Sequence, residues 1–504
     1  MPLGKVWLVG AGPGDPGLIT IRGLEVLTRA EAVLYDALAH PALLDSCPSA
    51  EKFNVGKRYG EDSAKQNAIN AQLVELARAG KRVVRLKGGD PLMFARGGEE
   101  ALALAAAGVP FEIVPGVSSP VATSAYAGIP LTHRELSASV TFITGSDRAG
   151  KEWSPESWKK LATATDTICI LMGMRRIEDI MQAIIDGGRS PDALAAVIHW
   201  GARPEQRVVT GTVGTIAARV RAEKVTNPSI IVVGEVVRLR EDLRWFDNRP
   251  LFGKAILVPR PAEQGKATAG AVRARGAIAR LLPAIEIRAP RDAAPLSRAL
   301  SELAEYDWVL FTSANGVDCF ARAMKLAGLD ARAFASAKLG VIGPKTEAAL
   351  ERIGLRADAV AREFVGEGLA KAVLEQGVPK RVLLARAQVA RDALPALLSA
   401  AGARVDVVPV YETVPADRAG ELKKSFEDGQ IDVAMFTSSS TVSAVVEALG
   451  AEAPRLLAAT TVASIGPITS RTLADYGIAV NVVASEFTVE GVLDALERWF
   501  APPT

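Results

Sequence analysis

Sulfur and imidazole are scarce in this chain of 504 residues. Its three cysteines, Cys47, Cys169 and Cys319, lie far apart. An odd, sparse set offers no disulfide framework and fits a reducing cytoplasm. Three histidines, His40, His133 and His199, are equally scattered, so no His/Cys metal site is expected. Aromatic residues amount to 5%, which leaves core building to aliphatic side chains. No apolar run is long enough for a membrane span, and no secretory signal precedes the first apolar run at Lys5–Val9. The formal net charge is +2. That argues against a general nucleic-acid binder, while leaving room for a local basic cleft.

What remains is a globular profile, with 49% hydrophobic and 23% charged residues. The length exceeds one ordinary core, so two to four domains are expected. Short β-branched runs alternate with longer Ala/Leu-rich segments of helical period, the signature of α/β architecture with mostly parallel sheets. The clear strands of the first half are Lys5–Val9, Ala32–Tyr35, Arg82–Leu86, Val140–Thr144, Thr167–Met172 and Ser229–Val233. The best helices are Ala64–Ala79 and Glu99–Ala107. The pattern breaks at Trp245–Gly253 (WFDNRPLFG), and a new strand, Lys254–Val258, follows. The main domain boundary is placed there, between residues 1–246 and 251–504.

The second half repeats itself. KAILVPR at Lys254–Arg260 aligns with KRVLLAR at Lys380–Arg386, and DWVLFTS at Asp307–Ser313 with DVAMFTS at Asp432–Ser438. Gly343-Pro344 aligns with Gly466-Pro467, and Glu363-Phe364 with Glu486-Phe487. Two similar α/β lobes are the natural reading, with a cut near Gln376 if they are consecutive, and paired lobes commonly bind a ligand between them.

Glycine-rich turns follow strands three times in the first half. GAGPGD occupies Gly10–Asp15, LKGGDP ends at Pro91 with RGGEE at Arg96–Glu100 beyond it, and PGVSSP spans Pro115–Pro120. Such turns let backbone approach a ligand closely. Ser118 and Ser119 are placed to cap the helix that follows. A nicotinamide-dinucleotide fingerprint is the rival, and Asp36 even lies at a fitting distance, but the third glycine is replaced by Asp15. Several such turns imply one extended pocket built from loop backbone.

GAGPGDPGLIT, VGK, RVVRLKGGDP, RGGEE, VPGVSS, AYAGIPLTHR and TNPSIIVVGEVV, in this order, resemble the uroporphyrinogen-III C-methyltransferase family from Gly4 to Trp245. The resemblance implies a two-domain tetrapyrrole methylase fold and S-adenosyl-methionine as methyl donor. Pro13, Gly88, Gly89, Asp90, Met93, Ser118, Ser119, Met172 and Gly201 would line its pocket. Asp36 would accept a proton and Lys57 donate one. Arg96, His133 and Arg134 are candidates for the substrate's carboxylates. Structural roles stand beside these: Asp36 as a helix cap, Lys57 and Arg58 as solvated surface, Met172 as a core strand residue, His133 as a loop brace. The family often reads DRLVS or DALVS where this chain has Asp36-Ala-Leu-Ala-His40. A homodimer is also implied, as are tetrapyrrole substrates.

TSANGV at Thr312–Val317, VIGPKT at Val341–Thr346, VYET at Val410–Thr413, FTSSSTV at Phe436–Val442 and SIGPIT at Ser464–Thr469 are similar to uroporphyrinogen-III synthases over about Leu251 to Phe500. That family implies interleaved lobes, one of about 251–287 plus 414–504 and the other of about 288–413, with parallel sheets. It also implies cyclisation of hydroxymethylbilane with inversion of the last ring. Thr312, Ser313, Thr437, Ser438 and Ser439 lie where strands meet helices and amides point outward; capping is the alternative for Ser313 and Ser439. Tyr411 pairs with Ile285 in the repeat and Lys345 with Ile468, so shared architecture does not account for either. Tyr411 matches the family's tyrosine, suspected of assisting hydroxyl departure. The rival readings are a non-catalytic tetrapyrrole-binding second half and an RNA substrate for the first; the near-neutral charge opposes the latter. The expected product, precorrin-2, serves siroheme or cobalamin, and the sequence leaves that branch open. Nothing in the chain resembles a dehydrogenase/ferrochelatase module.

Overall fold

The computed structural model describes residues 2–56, 63–145, 155–335, 337–363, 365–389, 392–416 and 419–502. It separates into two compact units, one reaching to Lys254 and one running essentially from Ala255 to Trp499, with Val272–Ile278 grouped with the first. No helix among the described residues is long and apolar enough to cross a membrane.

The first unit holds two sheets. Strands β1 (Lys5–Gly10), β2 (Ala32–Tyr35), β3 (Glu51–Asn54), β4 (Arg82–Lys87) and β5 (Phe111–Val114) form the first. Their order is β3-β2-β4-β1-β5, and all pairs are parallel. Apolar side chains leave both faces, as a parallel sheet covered by helices requires. Val6, Leu8, Leu34 and Val83 face one core, and Val9, Val33, Val84 and Leu86 the other. The second sheet takes β6 (Val140–Thr144), β7 (Thr167–Leu171), β8 (Leu194–His199), β9 (Arg207–Thr212) and β10 (Ser229–Val233) in the order β6-β7-β10-β8-β9. Here β10 runs antiparallel to both neighbours.

Four of these strands were not among the clear ones in the sequence, and each has a reason. β8 (LAAVIH) is alanine-rich and imitates a helix. β9 carries Gly211 and exposed Thr210. β3 is an edge strand of four residues, three of them exposed. β5 holds an acidic residue, Glu112, that would break an apolar run.

In the second unit β11 (Ala255–Val258) and β12 (Ile278–Leu281) join β19 (Val433–Phe436), β20 (Thr461–Ser464) and β21 (Val482–Val483) in the order β12-β11-β19-β20-β21. The other sheet has β13 (Ile285–Arg288), β14 (Trp308–Phe311), β15 (Lys338–Val341), β16 (Ala359–Val360), β17 (Arg381–Ala387) and β18 (Arg404–Pro415) in the order β13-β18-β17-β14-β15-β16. β18 pairs parallel with β17 through Tyr411, then antiparallel with β13 from Glu412 to Pro415. The chain thus leaves one lobe through β13 and returns through the end of β18. A cut near Gln376 does not exist: Gln376 accepts from Lys338 Nζ at 3.0 Å and donates to Asp358 O at 2.9 Å, and β17 beyond it inserts between β14 and β18.

One surface cluster ties three elements of the first unit together. Glu112 on β5 accepts from Lys5 Nζ at 2.9 Å and Trp7 Nε1 at 3.1 Å on β1, and from Arg22 Nη2 at 3.0 Å on the helix Ile21–Thr28. Those hydrogen bonds, Lys5's foremost, hold the carboxyl at about 2, below its ordinary 4.5. A depressed carboxyl stabilises the fold above its unfolded value, and that contribution fades as pH falls through the folded value. Glu112→Gln is expected to lower stability near pH 6 by up to about 1 kcal/mol, since the site is partly solvated. The gap to the parent should close between about pH 4.5 and 2 in urea denaturation run as a pH series.

Candidate active sites

Three backbone turns meet beyond the carboxyl ends of β4, β1 and β5. Gly12 and Gly89 exchange hydrogen bonds, Gly12 N to Gly89 O at 3.2 Å and Gly89 N to Gly12 O at 2.9 Å. A Cβ on Gly116 would come within 2.4 Å of Gly89 O and 2.7 Å of Gly10 Cα. Gly89 itself takes φ +71, and a Cβ there would meet Ser119 Oγ at 2.7 Å. Asp90 fastens the arrangement: its Oδ1 accepts from Leu92 N (2.8 Å) and Met93 N (3.1 Å), its Oδ2 from Gly116 N (3.0 Å). Asp90 therefore holds loop shape. A loop of the second sheet closes in from the other side, since a Cβ on Gly14 would strike Gly201 O and Ala202 O, both at 2.9 Å. Pro13, Gly88, Gly89, Asp90, Ser119 and Gly201 are thereby gathered at one place, with Met93 in the adjoining turn.

Ser118 occupies the N-cap of the helix Ser119–Tyr126, yet its side chain makes no capping bond. Asp15 binds Gly17 N at 2.7 Å through Oδ1 and receives the Tyr126 hydroxyl at 2.7 Å through Oδ2. Burial, aided by that bond, raises the Tyr126 phenol above its usual value. Among the described residues seven non-glycines have positive φ, and five lie in loops that follow strands of this unit: Phe94, Arg96, Met172, Trp200 and Ala202. For bulky side chains this conformation costs energy, and such strain concentrates at functional sites. Met172 is a correction to the core-strand reading: β7 ends at Leu171, and Met172 is 48% exposed with φ +56.

Asp36, just past β2, is not a helix cap. Its Oδ1 accepts from Arg85 Nη2 at 2.6 Å. Arg85 also donates from Nε to Glu100 Oε1 at 3.1 Å, and Lys87 Nζ reaches both Glu100 oxygens at 3.0 Å. Arg85 and Lys87 are each 2% exposed and Glu100 0%. Lys57 and Arg58 lie outside the described residues. Arg96 pairs with Glu99 at 2.7 Å. His133 closes a tight turn, its backbone bonded to Ser137 in both directions and its Nδ1 accepting from Glu135 N at 3.3 Å. Arg134 beside it is exposed. No contact joins His133 or Arg134 to the glycine turns among the described residues.

In the second unit Ser313 and Ser438 occupy equivalent places. Each caps a helix, Ser313 Oγ accepting from Gly316 N at 3.0 Å and Ser438 Oγ from Thr441 N at 3.4 Å. The cap is Ser438, one residue before the expected Ser439, whose hydroxyl accepts from Thr472 Oγ1 at 2.8 Å. Ser313 has a second partner, the Tyr411 hydroxyl at 3.0 Å. Burial pushes the Tyr411 phenol up, against hydrogen bonds with Ser313 and Asn315. Asn315 in turn accepts from Gln264, and Gln264 Oε1 accepts from Arg260 Nη2 at 2.9 Å. This chain of contacts crosses from the segment after β11 to the segment after β14. Thr312 and Thr437 are half-buried at their strand ends, and Lys345 is exposed in the first turn of the helix Pro344–Arg352.

Sequence reasoning missed Arg85, Lys87, Glu100, Arg203, Arg260, Gln264 and Asn315. A signal existed for the first pair: charges two residues apart in the central strand of a parallel sheet must be paired to be buried. Arg203 donates from Nη2 to Leu38 O at 2.8 Å and stacks on Trp200 at 4.6 Å. No local pattern announces it. Among the described residues no group of His, Cys, Asp and Glu could hold a metal ion.

Residues 5–217 match the family model described as tetrapyrrole (corrin/porphyrin) methylases, and residues 266–494 that of uroporphyrinogen-III synthase HemD. Over 499 residues the chain is 38% identical to a porphyrin biosynthesis protein HemD of Ruminiclostridium josui, covering 98% of each. It is 45% identical over 247 residues to a uroporphyrinogen-III C-methyltransferase of Bacillus subtilis, covering 49% of this chain and 96% of that one. The chain spans about half the length of the siroheme synthases it matches, 54% of that from Stutzerimonas stutzeri at 48% identity over 253 residues, 50% of this chain. A solved uroporphyrin-III C-methyltransferase of Thermus thermophilus, complexed with S-adenyl homocysteine, is 38% identical, with 47% of this chain and all of that one covered at a TM-score of 0.41.

Asp90→Ala removes the acceptor of three backbone amides at once. The expected cost is about 1–3 kcal/mol for each buried donor left unmet, tempered by water reaching the exposed pair. Urea denaturation of the full chain measures it, and an unchanged midpoint would contradict the fastening role.

Proposed function

Because this chain belongs to the HemD porphyrin-biosynthesis family and joins a tetrapyrrole methylase to a uroporphyrinogen-III synthase, we propose that it catalyses two consecutive steps. Residues 251–504 cyclise hydroxymethylbilane to uroporphyrinogen III with inversion of the last ring. Residues 1–246 then transfer two methyl groups to that product, giving precorrin-2. The observation that carries the reading is the convergence of the glycine turns beside a half-buried carboxylate, Asp36, in a chain whose relative matches end to end.

S-adenosyl-methionine supplies the methyl group as an activated sulfonium. The residues present fit it. Glycines at 10, 89 and 116 keep side chains out of the space where backbone amides and carbonyls meet, and the Ser118 hydroxyl is left uncapped. Pro13, Gly88, Gly89, Asp90, Met93, Ser118, Ser119, Met172 and Gly201 would hold it. The acceptor is a pyrrole β-carbon, so the chain's task is alignment and proton handling. Methylation leaves the ring cationic and its β-carbon without a hydrogen, so the charge is relieved by loss of a proton from an adjoining methylene bridge. Asp36 accepts that proton, and Lys57 is carried over from the family resemblance as the proton donor. Arg96, His133 and Arg134 face the substrate's carboxylates, Arg96 exchanging its Glu99 partner for them.

In the synthase half the linear substrate must be held curled while hydroxide departs. The Tyr411 hydroxyl, fixed by Ser313, assists that departure. Thr312, Thr437, Ser438, Ser439 and Lys345 bind carboxylates at the strand ends.

Anaerobic incubation of the full chain with hydroxymethylbilane and S-adenosyl-methionine, with products separated by mass and isomer, tests both halves. The parent is expected to yield a dimethylated type-III product. Asp36→Asn should stop at unmethylated type-III macrocycle, with methyl transfer reduced about 10²–10⁴-fold. Tyr411→Phe should slow type-III formation about 10-fold or more, while methylation of supplied uroporphyrinogen III proceeds at the parent rate. A type-I isomer from the parent, made by unassisted closure, would make the second half a binding module instead.

A further inference from the structure

Arg85 lies in the interior of the first sheet with every arm of its guanidinium engaged. Nη1 donates to Leu34 O at 3.3 Å and Leu86 O at 3.2 Å, Nε to Glu100 Oε1 at 3.1 Å, and Nη2 to Asp36 Oδ1 at 2.6 Å. Glu100 is gripped as firmly. Besides Arg85, it receives Lys87 Nζ on both oxygens at 3.0 Å and Gln66 Nε2 at 3.2 Å. Two buried cations thus face two carboxylates, a balance that burial demands. Three members are sealed in the core; the side chain of Asp36 alone is 28% exposed. Its Oδ2 has no partner among the described residues.

The arrangement does more than neutralise charge. An arginine with a free fork grips a carboxylate through both oxygens. Here Glu100 and two carbonyls occupy the rest of the fork, so Arg85 holds Asp36 by one oxygen and leaves the other clear of the guanidinium. A lysine could balance the charge but could not fix the direction, since its ammonium is a rotating point donor. The motif RGGEE divides accordingly. Arg96 and Glu99 pair at the surface, and Glu100, in the first turn of the helix Gly97–Ala106, enters the core.

We propose that Arg85 is the positioning residue of Asp36 and that Glu100, with Lys87, exists to hold the Arg85 fork. The proposal rests on the reading of Asp36 as the proton acceptor. Glu100 and Lys87 make no hydrogen bond to Asp36 among the described residues. Lys87 feels the Asp36 charge only across space, while Glu100 bonds Arg85 Nε directly at 3.1 Å, so the geometric hold on Asp36 runs through Arg85.

The test is steady-state methylation of uroporphyrinogen III by the full chain, with S-adenosyl-methionine binding measured separately by calorimetry. Arg85→Lys keeps the charge and loses the fork. Its kcat should fall about 10²-fold, with KM and the Kd of S-adenosyl-methionine within about threefold of the parent. The double variant Lys87→Met/Glu100→Gln removes the buried pair while leaving no charge stranded. It should lose about 10-fold in kcat with the same unchanged binding. If Arg85→Lys does not fold, judged by lost S-adenosyl-methionine binding, the double variant carries the test. A folded variant of either kind with kcat within twofold of the parent overturns the proposal. Asp36→Asn separates the two levels. If it turns over like the parent, the acceptor reading itself fails; if it is inactive while the Arg85 and Glu100 variants are not, only the positioning role falls.

Discussion

Close approach of backbone to backbone, at Gly10, Gly89 and Gly116, is the constraint on which the first site depends. A side chain at Gly10 or Gly116 would push the turns apart by more than flexible atoms could absorb, because what it meets is main chain, and at Gly89 a φ of +71° disfavours any side chain. Once the turns are in contact, Asp90 can reach both its own loop and Gly116. The amides that face the cleft are then set by covalent geometry rather than by rotamers. Asp36 enters the same space from β2, whose register with β4 runs from Ala32↔Val83 to Tyr35↔Leu86. That register is also what brings Arg85 within reach of Asp36.

Much of this was legible in the sequence, and what was not has a common cause. Turns announce themselves, since glycine, proline and aspartate have narrow conformational uses, and GAGPGD, LKGGDP and PGVSSP were each visible as close-approaching backbone at strand ends. Strands with continuous apolar runs were equally plain, as at Ala32–Tyr35 and Ser229–Val233. The contacts that decide orientation join residues remote in sequence: Arg85 to Asp36, Gln264 to Asn315, Arg203 to Leu38. No local pattern encodes such a pairing. Met172 shows the opposite failure. Its apolar side chain made it look like the last residue of a core strand, whereas a left-handed backbone turns it outward.

The second unit shows how duplication and difference divide labour. The strand-to-helix junctions at Ser313 and Ser438 are alike down to the backbone angles of the cap, φ −161° and −167°. Shared architecture therefore explains the caps. It does not explain Tyr411, whose counterpart Ile285 is a buried core residue. A phenol placed among Phe311, Phe320 and Val410 requires a polar partner, and Ser313 supplies one without surrendering its cap. The repeat thus provides a scaffold on which a few departures from symmetry place polar groups that shared architecture does not require.

The route of the chain between the two lobes has a consequence for how the protein is made. β11 pairs with β19, and the amide of Ala255 is received by the Asp432 carboxylate at 2.7 Å, 177 residues further on. A ribosome delivers β11 and β12 long before β19, the partner of the other β11 edge, exists. The intervening lobe, β14 to β18, holds the β14–β15, β14–β17, β15–β16 and β17–β18 pairings within its own stretch of chain and can close first. Until the C-terminal strands emerge, Ile256, Leu257 and Val258 must wait without the sheet that buries them. Nascent chains halted between β18 and β19 would hold a closed inner lobe and a β11–β12 pair whose other apolar edge still lacks β19, a species suited to recognition by chaperones.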